Sequence, residues 1–145
     1  MPGNRSWHNL PMEFTLHERL AADTLPVAEL DLCTLLLMRD HRFPWTILVP
    51  RRANLRDYHD LPREDALQAF DEIVRVSNAL SAEFRVDKLN VAALGNQVPQ
   101  LHIHVIGRYE TDDAWPGPVW NAGPVESPDL ATVEDWRQRL GSHFP

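Results

Sequence analysis

An α+β fold is what this sequence predicts: an antiparallel sheet of about five strands, one long helix packed on it, and a short C-terminal helix. Three observations carry the expectation. Strand-like text comes first, helical text follows, and strand-like text returns. Between them, apolar residues recur at helical spacing for more than five turns. The strand-like pieces are rich in β-branched residues and bounded by Pro, Gly and Asn. With 145 residues, of which 43% are hydrophobic, and no internal repeat, one packed domain spans 1–145. Its core is expected at about 27–122, with an extension over 123–145.

Taken in order, residues 14–23 carry a weak helical pattern (Phe14, Leu16, Leu20, Ala21), closed by Pro26. From Val27 the segment VAELDLCTLLLMRD alternates and then becomes continuously apolar over Leu35–Met38. It reads as a half-buried strand running into a fully buried one. The connection RDHRFP leads to a second strand, Trp45–Val49, set between Pro44 and Pro50, so the two pair antiparallel. Asp60 and Pro62 then open the long helix, with Leu67, Phe70, Ile73, Val74, Ser77, Leu80 and Phe84 as its core-facing stripe. Leu89–Leu94 and Leu101–Ile106 follow as strands joined through GNQVP. The tail TDDAWPGPVWNAGPVESPD is irregular, ordered by its two Trp, and a short helix over Leu130–Leu140 ends the chain.

Composition removes several function classes. A formal charge of −7 opposes nucleic-acid binding and anionic membrane surfaces, which both require basic surface. Cys33 is the sole cysteine, which excludes an intrachain disulfide and favours a reducing compartment. The opening MPGNRSWHNLPMEF lacks the apolar core of a signal peptide, and no apolar run reaches the ~18 residues of a membrane span. A cytoplasmic location is the expectation.

The chemistry concentrates in QLHIHVIGR, residues 100–108. On a strand, Leu101, Ile103 and Val105 point one way; Gln100, His102 and His104 point the other, about 6–7 Å apart along the chain. Three readings compete for such a pair of histidines. They could be a solvent-facing polar row. They could be two metal ligands, although His8, His17, His41, His59 and His143 stand apart and supply no visible third. They could also serve nucleophilic catalysis, since a largely neutral imidazole offers a lone pair at pH 7. An Nδ1–H donated to a backbone carbonyl would then hold Nε2 as the attacking atom.

QLHIHVIGR resembles the signature of the histidine triad (HIT) superfamily, in which three histidines alternate with apolar residues. The resemblance extends to LLLMRDHRFPWTILVPRR, to the position of the long helix, to GNQ before the signature and to AWPG after it, about residues 30–120 in all. It implies a HIT-like fold and a hydrolase or transferase that cleaves nucleotides at the α-phosphate. The expected route is a covalent nucleotidyl-histidine, with no cofactor or metal required. On this register His102 is the nucleophile, His104 bonds the phosphate or bridging atom, and Gln100 supplies its carbonyl to orient His102. Gln97 and Asn96 fall among the substrate-binding positions, and Asp40 matches the residue that holds the ribose hydroxyls. Arg108 is a candidate for phosphate or dimer contacts, and Trp115 for a place near the partner's site in an implied homodimer.

The chain departs from the family pattern at three positions. Gln100 replaces the first triad histidine, and Trp45 and Ala53 stand where many members carry histidines. A nucleotide-binding regulatory module with weak or no turnover is therefore the alternative reading. A metal-dependent hydrolase using His102 and His104 is the third.

Overall fold

A computed structural model describes residues 13–145. The signal-peptide reading of the first residues, and His8, fall largely or wholly outside them. Among the described residues, five strands form one sheet: β1 (Thr24–Glu29), β2 (Cys33–Met38), β3 (Trp45–Pro50), β4 (Lys88–Ala92) and β5 (Ile103–Arg108). Three α-helices accompany them: α1 (Glu18–Asp23), α2 (Arg63–Phe84) and α3 (Leu130–Gly141). The sheet order is β1-β2-β3-β5-β4, and every neighbouring pair is antiparallel. The α+β architecture expected from the sequence is the one observed.

Two local expectations fail for physical reasons. The stretch from Val27 to Met38 is a hairpin rather than one continuous strand. Pro26 lies inside β1, and the chain reverses through Leu30, Asp31 and Leu32 so that Thr24 faces Met38. The reversal is held from outside: Glu72 of α2 accepts the backbone N–H groups of Leu32 (2.9 Å) and Cys33 (2.8 Å). A side chain forty residues away does the work that turn residues would otherwise do.

The second failure follows from the first. The stripe predicted to face the core is only partly buried. Leu67, Phe70 and Val74 are exposed, and the buried row runs through Ala69, Glu72, Ile73, Val76, Ala79 and Leu80. Small Ala69 and Ala79 bring the helix close to the sheet, and Glu72 must turn inward to reach the hairpin amides.

The sheet separates two apolar clusters. Leu35, Leu48, Ile103 and Val105 lie with α2 and with Leu140 of α3 on one face. Leu36, Trp45, Ile47 and Ile106 lie on the other, covered by Leu20 of α1 and by Val119. Because directly paired residues share a face, the pairing of His104 with Ile47 places His104 on this second face.

Candidate active site

Strand alternation sorts the QLHIHV segment as expected. Leu101, Ile103 and Val105 enter the core under α2, and His102 and His104 are buried on the opposite side. β5 begins only at Ile103, so His102 stands just before the ladder at the end of the β4–β5 connection. Its Nδ1 lies 2.7 Å from the carbonyl oxygen of Gln100. A carbonyl can only accept, so Nδ1 carries the proton there and Nε2 carries the lone pair.

His104 is fixed the other way round. The indole Nε1–H of Trp45 donates to its Nδ1 at 2.9 Å. Indole is a donor only, so the lone pair of His104 is at Nδ1 and its proton is at Nε2. Burial, followed by the neighbouring His102, depresses the pKa of His104 to about 3, which keeps the ring neutral. The two imidazoles meet edge to face with centroids 5.0 Å apart. One presents a lone pair at Nε2 and the other an N–H.

Both rings open on a cavity of about 610 Å³, which Asp40, Asn96 and Gln97 also line. Its walls include Leu20 and Ala22 of α1, Ile47 and Val98, with Arg39 on the rim. The carboxylate of Asp40 is buried and already engaged. Arg42 donates to it from its backbone N–H (3.0 Å), Nε (3.0 Å) and Nη2 (2.8 Å). The same guanidinium reaches the carbonyls of Ala122 and Gly123 and so fastens the C-terminal loop beside the cavity. A second cavity of about 260 Å³, bordered by Arg56, Tyr58 and His59, also touches His102.

The fold does not bring every sequence candidate to this place. Arg108 is 1% exposed, forms a double ion pair with Asp112 (2.8 and 2.9 Å), and donates to Asn90 Oδ1. All three guanidinium nitrogens are thereby used, and Arg108 does not line the cavity. Trp115 lies over that guanidinium, its ring 5.6 Å away, and is likewise outside the cavity. The Gln100 side chain points elsewhere, to the backbone of Thr15 and His17. His41 accepts from the N–H of Asp129 instead of approaching the histidines.

Three side chains that sequence reasoning left outside the site stand in it. Trp120 meets His104 edge to face at 5.1 Å and Trp45 at 5.7 Å. Trp45 sets the tautomer of His104, and Arg42 holds Asp40. Trp45 was visible only as a departure from the family pattern. No local signal brings Trp120 onto a strand that ended twelve residues earlier. Among the described residues, no group of three His, Cys, Asp or Glu side chains is gathered as a metal centre would require. None of the described helices is long and apolar enough to cross a membrane.

Residues 19–111 match the family model described as the HIT domain. A histidine triad protein from Bradyrhizobium japonicum superposes with a TM-score of 0.87 at 41% identity, covering 92% of this chain and 99% of that one. One from Marinobacter aquaeolei VT8 gives 0.82 at 46% identity, covering 92% and 99%. A third, from Sinorhizobium meliloti 1021, gives 0.85 at 40%, covering 90% and 97%. No curated protein matches the chain.

Proposed function

The chain belongs to the HIT-domain family, and from that premise we propose that it is a nucleotidyl hydrolase or transferase working through a covalent intermediate on His102. Its substrates are nucleoside polyphosphates or phosphoramidates, cleaved at the α-phosphate. The observation that carries the reading is the opposite tautomer setting of two adjacent imidazoles at one cavity.

In the first step the Nε2 lone pair of His102 attacks the α-phosphorus, and the bond to the leaving group breaks with its electron pair; a phosphate departs as its anion, and a nitrogen takes a proton from solvent as it departs. The nucleotidyl-imidazole that forms is cationic, and its Nδ1–H stays bonded to the Gln100 carbonyl, which stabilises that charge. The Nε2–H of His104 donates to a phosphoryl oxygen or the bridging atom, where negative charge grows. Water then attacks phosphorus and gives up a proton to solvent, the N–P bond breaks with its electron pair returning to Nε2, and the nucleoside monophosphate leaves with His102 neutral again. Asn96 and Gln97 offer amide donors at the cavity wall, and Asp40 accepts the ribose hydroxyls on the lone pairs that Arg42 leaves open. No metal or cofactor takes part.

Mixtures with a diadenosine polyphosphate or adenosine phosphoramidate, denatured and handled at alkaline pH where a histidine N–P bond survives, test this directly. Intact-mass and peptide mapping are expected to show one adenylyl group on His102. His102→Ala is expected to lose both the adduct and about 10⁴-fold in kcat. An adduct on another residue, or unchanged turnover in the variant, overturns the proposal. Tight nucleotide binding with neither adduct nor turnover in the wild type would instead favour the regulatory module.

We further propose that the protein acts as a homodimer. Among the described residues, β4 is an edge strand, paired on one side with β5. Val91 on that strand is exposed and pairs with Val105, so it lies on the same face as α2. Leu67, Phe70 and Val74 make an exposed apolar row on α2 itself. An edge strand beside apolar surface suits a second copy, because two such edges pair antiparallel about a two-fold axis.

A further inference from the structure

The first position of the family signature holds Gln100, whose two ends do different things. Its carbonyl accepts from Nδ1 of His102. Its side chain reaches in the other direction, with Oε1 accepting from the N–H of His17 and Nε2 donating to the carbonyl of Thr15, both at 2.8 Å. The two partners flank Leu16, so the amide bridges the two successive peptide groups on either side of that residue as a neighbouring strand would. An amide suits this because its donor and acceptor share one carbon and point the same way. The two nitrogens of an imidazole diverge and cannot meet both groups at once.

Residues 13–17 form neither helix nor strand, and they lead directly into α1. The segment is seated at several points. Phe14 and Leu16 pack against the cluster that contains Trp45 and Val98. His17 Nδ1 accepts from the N–H of Arg19 at the start of α1, and Thr24 Oγ1 donates to the Leu20 carbonyl at its end. The helix so placed turns Leu20 and Ala22 into the large cavity.

We propose that Gln100 is a positioning residue: its side chain clips residues 13–23 against the site, so that the wall of the cavity and the support of the nucleophile are fixed by one residue. The ligand whose affinity it sets is a nucleoside monophosphate moiety, and in that respect the inference rests on the proposed function.

Hydrogen exchange and AMP binding test the clip in the full chain. Gln100→Leu is expected to speed exchange in the peptide covering residues 13–24 about tenfold, leave β5 unchanged, and weaken AMP binding about tenfold. Gln100→Glu can still accept from His17 but has no proton for Thr15, so it is expected to fall between wild type and Gln100→Leu on both readouts. Unchanged exchange over 13–24 overturns the clip. Faster exchange with a Kd for AMP within twofold of wild type overturns the wall. Wild-type protein that binds no AMP overturns this inference and the proposed function together, whereas normal wild-type binding with an unchanged Kd in Gln100→Leu overturns the inference alone.

Discussion

At the scale of single residues, the site depends on which nitrogen of each imidazole carries the proton. His102 and His104 are two residues apart, yet their backbone and indole partners set them oppositely. Trp45 is the less obvious of the two determinants. Trp45→Phe keeps the aromatic volume but leaves Nδ1 of His104 buried without a donor, a loss of about 1–3 kcal/mol in urea denaturation at pH 7.5. Turnover is expected to fall as well, since His104 can then adopt either tautomer, and a variant as stable and active as wild type would refute the role. The acid side has a definite sign. His104 titrates near ~6.5 when unfolded and near about 3 when folded, so the native state holds it neutral. Its contribution to stability is complete above pH ~6.5 and is lost as pH falls from there towards 3.

Among the elements, the β1–β2 hairpin shows most clearly how remote groups replace local signals. Its reversal at Leu30-Asp31-Leu32 offers Asp31 as its one turn-forming residue and no Gly, Asn or Pro. Glu72 supplies the missing acceptors and also takes a bond from Gln68. Cys33 lies beneath it, fully buried, and burial together with the adjacent carboxylate pushes the thiol pKa up. Glu72→Leu is expected to leave two buried N–H groups unpaired and to cost about 2–6 kcal/mol in chemical denaturation, as about 1–3 kcal/mol each would suggest. A change below ~0.5 kcal/mol would show that the amides find other partners. The same contact explains what was legible in the sequence. The β2–β3 pair, the length of α2 and the division of the QLHIHV faces follow from local periodicity. The burial of Glu72 does not, and with it went both the hairpin and the buried face of α2. The surroundings of Arg108 are equally hidden from local pattern: Asp112, Asn90 and two aromatic rings enclose the last residue of β5.

For the molecule as a whole, the exposed row on α2 and the edge of β4 are the features that internal packing leaves unexplained. Phe70 is 58% exposed and Leu67 56%, unusual values for large apolar residues on a helix whose opposite face is fully packed. Phe70→Glu is expected to convert the proposed dimer to monomer in sedimentation equilibrium, with little change in the far-ultraviolet circular dichroism. A wild-type chain that sediments as a monomer at micromolar concentration would dispose of the dimer.

The clip at Gln100 also bears on the order in which the molecule can be built. Its two side-chain bonds join positions 83 and 85 residues apart, and the Trp45–His104 bond spans 59. Contacts so distant in sequence close late, because the entropy of the intervening loops must be lost before they form. A chain made from its N-terminus therefore contains the residues of β1, β2, β3, α2 and β4 before either histidine exists, and residue 100, the anchor of residues 13–17, comes after all of them. The cavity that holds both imidazoles is therefore assembled late, and a chain that stops short of residue 104 has no such site.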